Sequence, residues 1–98
     1  LTFGDLVIDR GALKVTLKGK EVHLTPTELR LLLELVRHRD KVLNRRYLLR
    51  TVWDHGHVGD SRLVDTCVQR IRAKIEPVPS EPRYIHTVRG FGYRFSPP

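Results

Sequence analysis

RLVDTCVQRIRAKIEPVPSEPRYIHTVRGFGYRF, residues 62–95, decides the fold. Its first half repeats like a helix and its second half folds back like a hairpin. At about 100° per residue, Val64, Val68, Ile71 and Ile75 fall together in one narrow apolar stripe. A helix is therefore predicted from Arg62 to about Glu76, capped by Asp60 or Ser61 and stopped by Pro77. A Pro-rich loop, 77–82, leads to Tyr84–Val88 and Tyr93–Phe95, two short strands turned around Gly90 and Gly92. Ile85 and Val88 do not alternate strictly, which predicts a bulge or twist.

The face of the helix opposite its stripe collects Arg62, Thr66, Gln69 and Ala73, with Arg70 on its shoulder. No carboxylate lies at its centre; Asp65 and Glu76 sit to one side. Such a face suits a major groove. Arg donates two parallel hydrogen bonds to guanine, Gln reads adenine, and Thr touches a thymine methyl or a phosphate. Arg62, near the helix start, is placed for a phosphate, where the helix dipole also attracts anions. Taken alone, the same face is that of an ordinary surface helix with solvated arginines. The hairpin changes the reading. In TVRGFGYR, residues 87–94, Arg89 stands beside two glycines that permit a tight turn. An Arg on such a tip can enter a narrow minor groove. Tyr93 and Phe95 follow strand alternation and are expected in the core.

Working back along the chain, Thr25-Pro26-Thr27-Glu28 is a capping box with Pro at the first helical position. Leu24 and Leu29 are spaced for a hydrophobic staple. Leu29, Leu32, Leu33 and Val36 continue the helix, and His38 to Lys41 closes it. A second helix starts after Asn44, with Leu48, Leu49, Val52 and Trp53 as its stripe. A polar loop, Asp54 to Ser61, follows. Before all of this, Leu1 to Leu24 reads as short strands, with Val15 and Leu17, then Val22 and Leu24, alternating with polar residues and turns at Gly11 and Lys18-Gly19-Lys20.

The 98 residues suit one domain, 1–98. Lys and Arg number 18 against 11 Asp and Glu, a formal charge of +7 that favours a polyanionic partner, nucleic acid before an anionic membrane. One Cys excludes an internal disulfide framework and fits a reducing cytosol. No apolar run approaches the ~18 residues of a membrane span, so a cytoplasmic location is expected. The chain has no Met and begins with Leu1, which points to a processed product or, in preference, a piece of a longer protein. His55-Gly56-His57 with Asp54 and Asp60 resembles metal ligands only superficially, and no fuller ligand set accompanies it. Cys67 has no partner at nucleophile spacing and reads as a packing residue. No phosphate loop or carboxylate pair stands in a motif context. No enzyme, metal or cofactor is expected.

These residues carry a resemblance. Leu24–Glu28, Leu48–Trp53, Asp60–Asp65 with Arg70–Lys74, and above all Thr87–Tyr93 resemble the OmpR/PhoB-type winged-helix effector domain of two-component response regulators, over essentially the whole chain. The resemblance implies an α+β winged helix-turn-helix: an N-terminal four-stranded antiparallel sheet, three helices and a C-terminal β-hairpin wing. It implies sequence-specific binding to double-stranded promoter DNA, often direct repeats occupied by head-to-tail pairs, under a receiver domain phosphorylated on Asp. Gln69 and Arg70 match groove-facing positions, and Arg89 matches the wing arginine of the minor groove. Trp53, Arg62, Thr66, Arg72 and Thr87 match positions that commonly touch the DNA backbone or its neighbourhood. The loop with Asp54, His55 and His57 matches one that contacts RNA polymerase. Cys67 and Gln69 stand where some relatives carry His and Arg, so no relative's operator preference transfers. A protein-docking module and an RNA binder are the competing classes; salt dependence with site preference, and duplex DNA against RNA in competition, separate them.

Overall fold

The computed structural model describes residues 1–53 and 60–98. Strands β1 (Thr2–Phe3), β2 (Leu6–Asp9), β3 (Lys14–Leu17) and β4 (Lys20–Glu21) form an antiparallel meander in sequence order. Helices α1 (Pro26–Arg37), α2 (Arg45–Val52) and α3 (Arg62–Ile75) follow, then the hairpin of β5 (Ile85–Val88) and β6 (Gly92–Phe95). The expected sheet, three helices and wing are all present.

Local chemistry explains the turns and caps. Between β3 and β4, Lys18 and Gly19 both take positive φ, 52° and 80°, and join the Leu17–Lys20 pair by a two-residue turn whose twist matches the strands. At the start of α1 the capping box closes in both directions: Glu28 N–H donates to Thr25 Oγ1 at 3.2 Å, and Thr25 N–H to Glu28 Oε1 at 3.0 Å. Asn44 caps α2 by accepting the Tyr47 N–H at 2.7 Å.

The core lies where the sheet, the helices and the hairpin meet. Leu6, Ile8 and Val15 point in from the sheet. Leu48, Leu49 and Val52 of α2, and Val64, Val68, Ile71 and Ile75 of α3, are buried as their spacing predicts. In α1 the buried set is Leu31, Leu32, Leu35 and Val36, while Leu29 and Leu33 are only half-buried. The stripe is rotated from the predicted one because α1 packs on α2, α3 and β6 at once. Val22 and Leu24 lie beyond β4, outside any strand.

The hairpin is welded to the body. Leu43, between α1 and α2, exchanges hydrogen bonds with Tyr93 at 2.8 and 3.0 Å. Phe95 packs edge-on to Phe3 with centroids 5.0 Å apart and stacks on Tyr84. The register is unbroken from Ile85↔Phe95 to Val88↔Gly92, so of the predicted bulge or twist the bulge is absent. Val88 escapes the alternation because it ends the strand, where its carbonyl accepts the Phe91 N–H of the turn at 2.9 Å. No helix among the described residues is long and apolar enough to cross a membrane.

Candidate nucleic-acid interface

The 3.6-residue period that buries Val64, Val68, Ile71 and Ile75 turns Arg62, Thr66, Gln69, Arg70 and Ala73 outward, and all five are exposed. The side chains of Gln69, Arg70 and Arg89 make no hydrogen bond or ion pair among the described residues. Of the two candidate caps, Asp60 does the capping. Its Oδ1 accepts the Arg62 backbone N–H at 3.1 Å and the Arg62 Nε at 3.0 Å. Ser61 makes no side-chain cap bond. The Arg62 guanidinium is thus exposed but held by a neighbouring carboxylate.

A shallow hollow separates the start of α1 from α3, lined by Thr25, Thr27, Trp53, Thr66, Cys67 and Arg70. Trp53 is half-buried against the core there. Glu28, in the first turn of α1, accepts Lys74 Nζ at 2.6 Å. Burial disfavours its charge, but Lys74 and the Thr25 N–H outweigh that and hold the carboxyl below its usual range. Cys67 is buried, and desolvation pushes its thiol up to about 11, so it is a packing residue rather than a nucleophile.

At the wing, Val88-Arg89-Gly90-Phe91 forms a tight turn with Gly90 at φ 84°. Arg89 stands exposed at its corner. Thr87 is exposed on β5, and its Oγ1 accepts Arg72 Nη2 at 2.8 Å.

Arg72 lies away from the exposed outer face of α3; it is 5% exposed. Its Nε and Nη2 also donate to Ile85 O at 3.2 and 2.9 Å, and its guanidinium lies 5.6 Å from the centre of the Tyr93 ring. The reason is position: Arg72 is adjacent to Ile71 on the helix, at the edge of the stripe, and the hairpin packs over that edge. Asp54, His55 and His57 lie outside the described residues.

Two residues with structural work in this region escaped sequence reasoning. Asp65 Oδ1 accepts both Arg45 Nε at 2.6 Å and Tyr93 Oη at 2.5 Å. Glu76, just past α3, accepts the backbone N–H groups of Arg83, Tyr84 and Ile85. The only local signal was a carboxylate at the border of an apolar stripe; the partners lie up to 28 residues away. The consequence is electrostatic. The acids flanking α3 are engaged by protein donors, and the outer face is left cationic and rich in donors.

Residues 19–95 match the family described as "Transcriptional regulatory protein, C terminal". The chain is 63% identical over 97 residues to the transcriptional regulatory protein AfsQ1 of Streptomyces coelicolor, covering 99% of this chain and 43% of that protein. It is 47% identical to the DNA-binding response regulator MtrA of Mycolicibacterium smegmatis, over all of this chain and 43% of the relative. The chain thus spans less than half the length of these curated relatives. The response regulator DrrB of Thermotoga maritima, an OmpR/PhoB homolog, superposes with a TM-score of 0.92 at 45% identity, over 98% of this chain and 43% of that one. The RstA DNA-binding domain of Klebsiella pneumoniae, solved in complex with the RstA box, superposes with a TM-score of 0.88 at 35% identity, over 99% and 96% of the two chains.

Proposed function

Since the chain belongs to the family of C-terminal, OmpR/PhoB-type winged-helix DNA-binding domains of transcriptional regulators, we propose that it reads promoter DNA through two grooves at once. Transcription-regulating DNA binding is the family's function. The finer reading is that α3 lies in the major groove while the β5–β6 wing enters the neighbouring minor groove. Gln69 and Arg70 contact base edges, and Arg89 occupies the minor groove. Arg62, Thr66, Thr87 and Trp53 flank these as contacts to the sugar–phosphate backbone.

The observation that carries the reading is the division of charge around α3. Asp65 and Glu76 are consumed by protein donors, while Gln69, Arg70 and Arg89 stand exposed. Phosphate neutralisation supplies most of the affinity, and the base contacts supply the choice of site. The remainder of the proposal follows the family. These 98 residues act as one output domain, governed by a phosphorylated receiver in a longer cytoplasmic protein. Two copies bind head-to-tail on direct repeats, and the loop of Asp54, His55 and His57 meets RNA polymerase.

Selection of bound duplexes from a random library tests the reading. A defined half-site is expected. On that site Arg70→Ala should weaken binding by ~1–3 kcal/mol and relax preference at one position. Equal losses on the selected site and on random duplex would refute the role given to Arg70.

A further inference from the structure

Arg72 is a buried cation with no carboxylate bonded to it among the described residues. Its hydrogen-bond partners there are a backbone carbonyl and a hydroxyl, and its guanidinium also lies against the face of Tyr93. Taking a guanidinium out of water for neutral partners is costly, and an apolar residue of similar size would fill the space more cheaply. What an apolar residue cannot do is hold two acceptors of β5, Ile85 O and Thr87 Oγ1, with one rigid planar fork while touching β6.

The rest of the hairpin shows what that fork adds. Glu76 clasps the entry, at Arg83 to Ile85. Leu43 holds β6 at Tyr93, and Asp65 holds the Tyr93 hydroxyl. On β5, beyond Ile85 and toward the tip, Arg72 bonds Thr87, two residues before Arg89. Because Thr87 Oγ1 accepts from Arg72, the hydroxyl proton of this exposed residue is directed away from the guanidinium, free to donate.

We infer that Arg72 is a positioning residue that locks the wing onto α3, so that Arg89 meets the minor groove in fixed register with Gln69 and Arg70 in the major groove. The inference rests on the two-groove reading above. Arg72 acts through Thr87 and the turn that carries Arg89.

A double-mutant cycle on the selected duplex tests it. Arg89→Ala should lower affinity about 5- to 150-fold, as for loss of a base-reading arginine. Arg72→Lys keeps the charge but loses the fork, and should give a loss of similar size. The double variant should bind no worse than the weaker single one. Arg70→Ala should keep its full effect in the Arg72→Lys background. Parental discrimination between G·C and inosine·cytosine pairs under the wing, which differ by one minor-groove amine, should vanish in Arg72→Lys. Losses that multiply, parental affinity in Arg72→Lys, or retained minor-groove discrimination would each overturn the inference. If Arg72→Lys does not fold, Thr87→Val carries the test: it removes the acceptor of the Arg72 fork and should be non-additive with Arg89→Ala, whereas losses that multiply overturn the inference. If Arg89→Ala alone leaves affinity unchanged, the wing reading itself falls. If it weakens binding but multiplies with Arg72→Lys, only the role of Arg72 falls.

Discussion

The carboxylate of Glu76 accepts the backbone N–H of Ile85 at 2.9 Å, tying the end of the recognition helix to the first residue of the wing. The same carboxylate takes the N–H groups of Arg83 and Tyr84, so one buried side chain replaces the backbone partners that the Pro-rich loop leaves missing. The end of the helix and the entry to the wing are held together by this one side chain.

Removing that acceptor leaves buried donors unpaired. Glu76→Ala should cost ~2–4 kcal/mol of stability, measured by urea unfolding, and Glu76→Gln less, because an amide oxygen still accepts. Amide exchange at Tyr84 and Ile85 should accelerate in Glu76→Ala. Unchanged exchange there would show that the clasp does not hold the hairpin entry.

Two glycines of the wing should respond differently to the same change. A Cβ on Gly92 would stand 2.1 Å from Leu43 O and 2.8 Å from Asn44 Cα, where the Leu43–Tyr93 bridge lets neither backbone yield. Gly92→Ala should cost more than ~3 kcal/mol. Gly90, at φ 84°, faces open space, so Gly90→Ala carries only the backbone strain of ~1–2 kcal/mol. Thermal melts of the two variants compare them directly; equal losses would contradict the close approach at Gly92.

Acid should loosen the start of α1. Burial opposes ionisation of Glu28, but Lys74 and the Thr25 N–H leave its carboxyl below the usual range in the folded chain. A depressed folded value stabilises the fold above the unfolded value of about 4.3, and that stabilisation is lost as pH falls through the folded value. Stability should therefore fall below about pH 4.5. Glu28→Gln should flatten this acid limb and cost ~1 kcal/mol at neutral pH. An acid limb identical in both proteins would remove Glu28 from the account.

Arg62 should act on affinity and not on choice of site. It is exposed at the start of α3 and paired with Asp60 at 3.0 Å. Arg62→Ala should weaken selected and random duplexes alike and reduce the salt slope by about one. Asp60→Asn releases the guanidinium and should strengthen binding to both. A collapse of site preference in Arg62→Ala would reassign the residue to base reading.

Much of this was written locally. The capping box of Thr25 and Glu28, the stripe of Val64, Val68, Ile71 and Ile75, and the Arg89 turn with its flanking glycines depend on residues within a few positions of one another. Short-range sterics and helical period dictate such features, so the sequence alone determined the elements and which residues share a face. It did not determine what lies over the edge of a face. Arg72 borders the stripe of α3 as plainly as Arg70 borders its outer side, yet the hairpin covers one and leaves the other exposed. Asp65 and Glu76 likewise find their partners only after distant segments pack together. The buried stripe of α1 is rotated for the same reason, because three elements press on that helix. Period sets direction around one helix axis; only the meeting of elements decides which directions are interior.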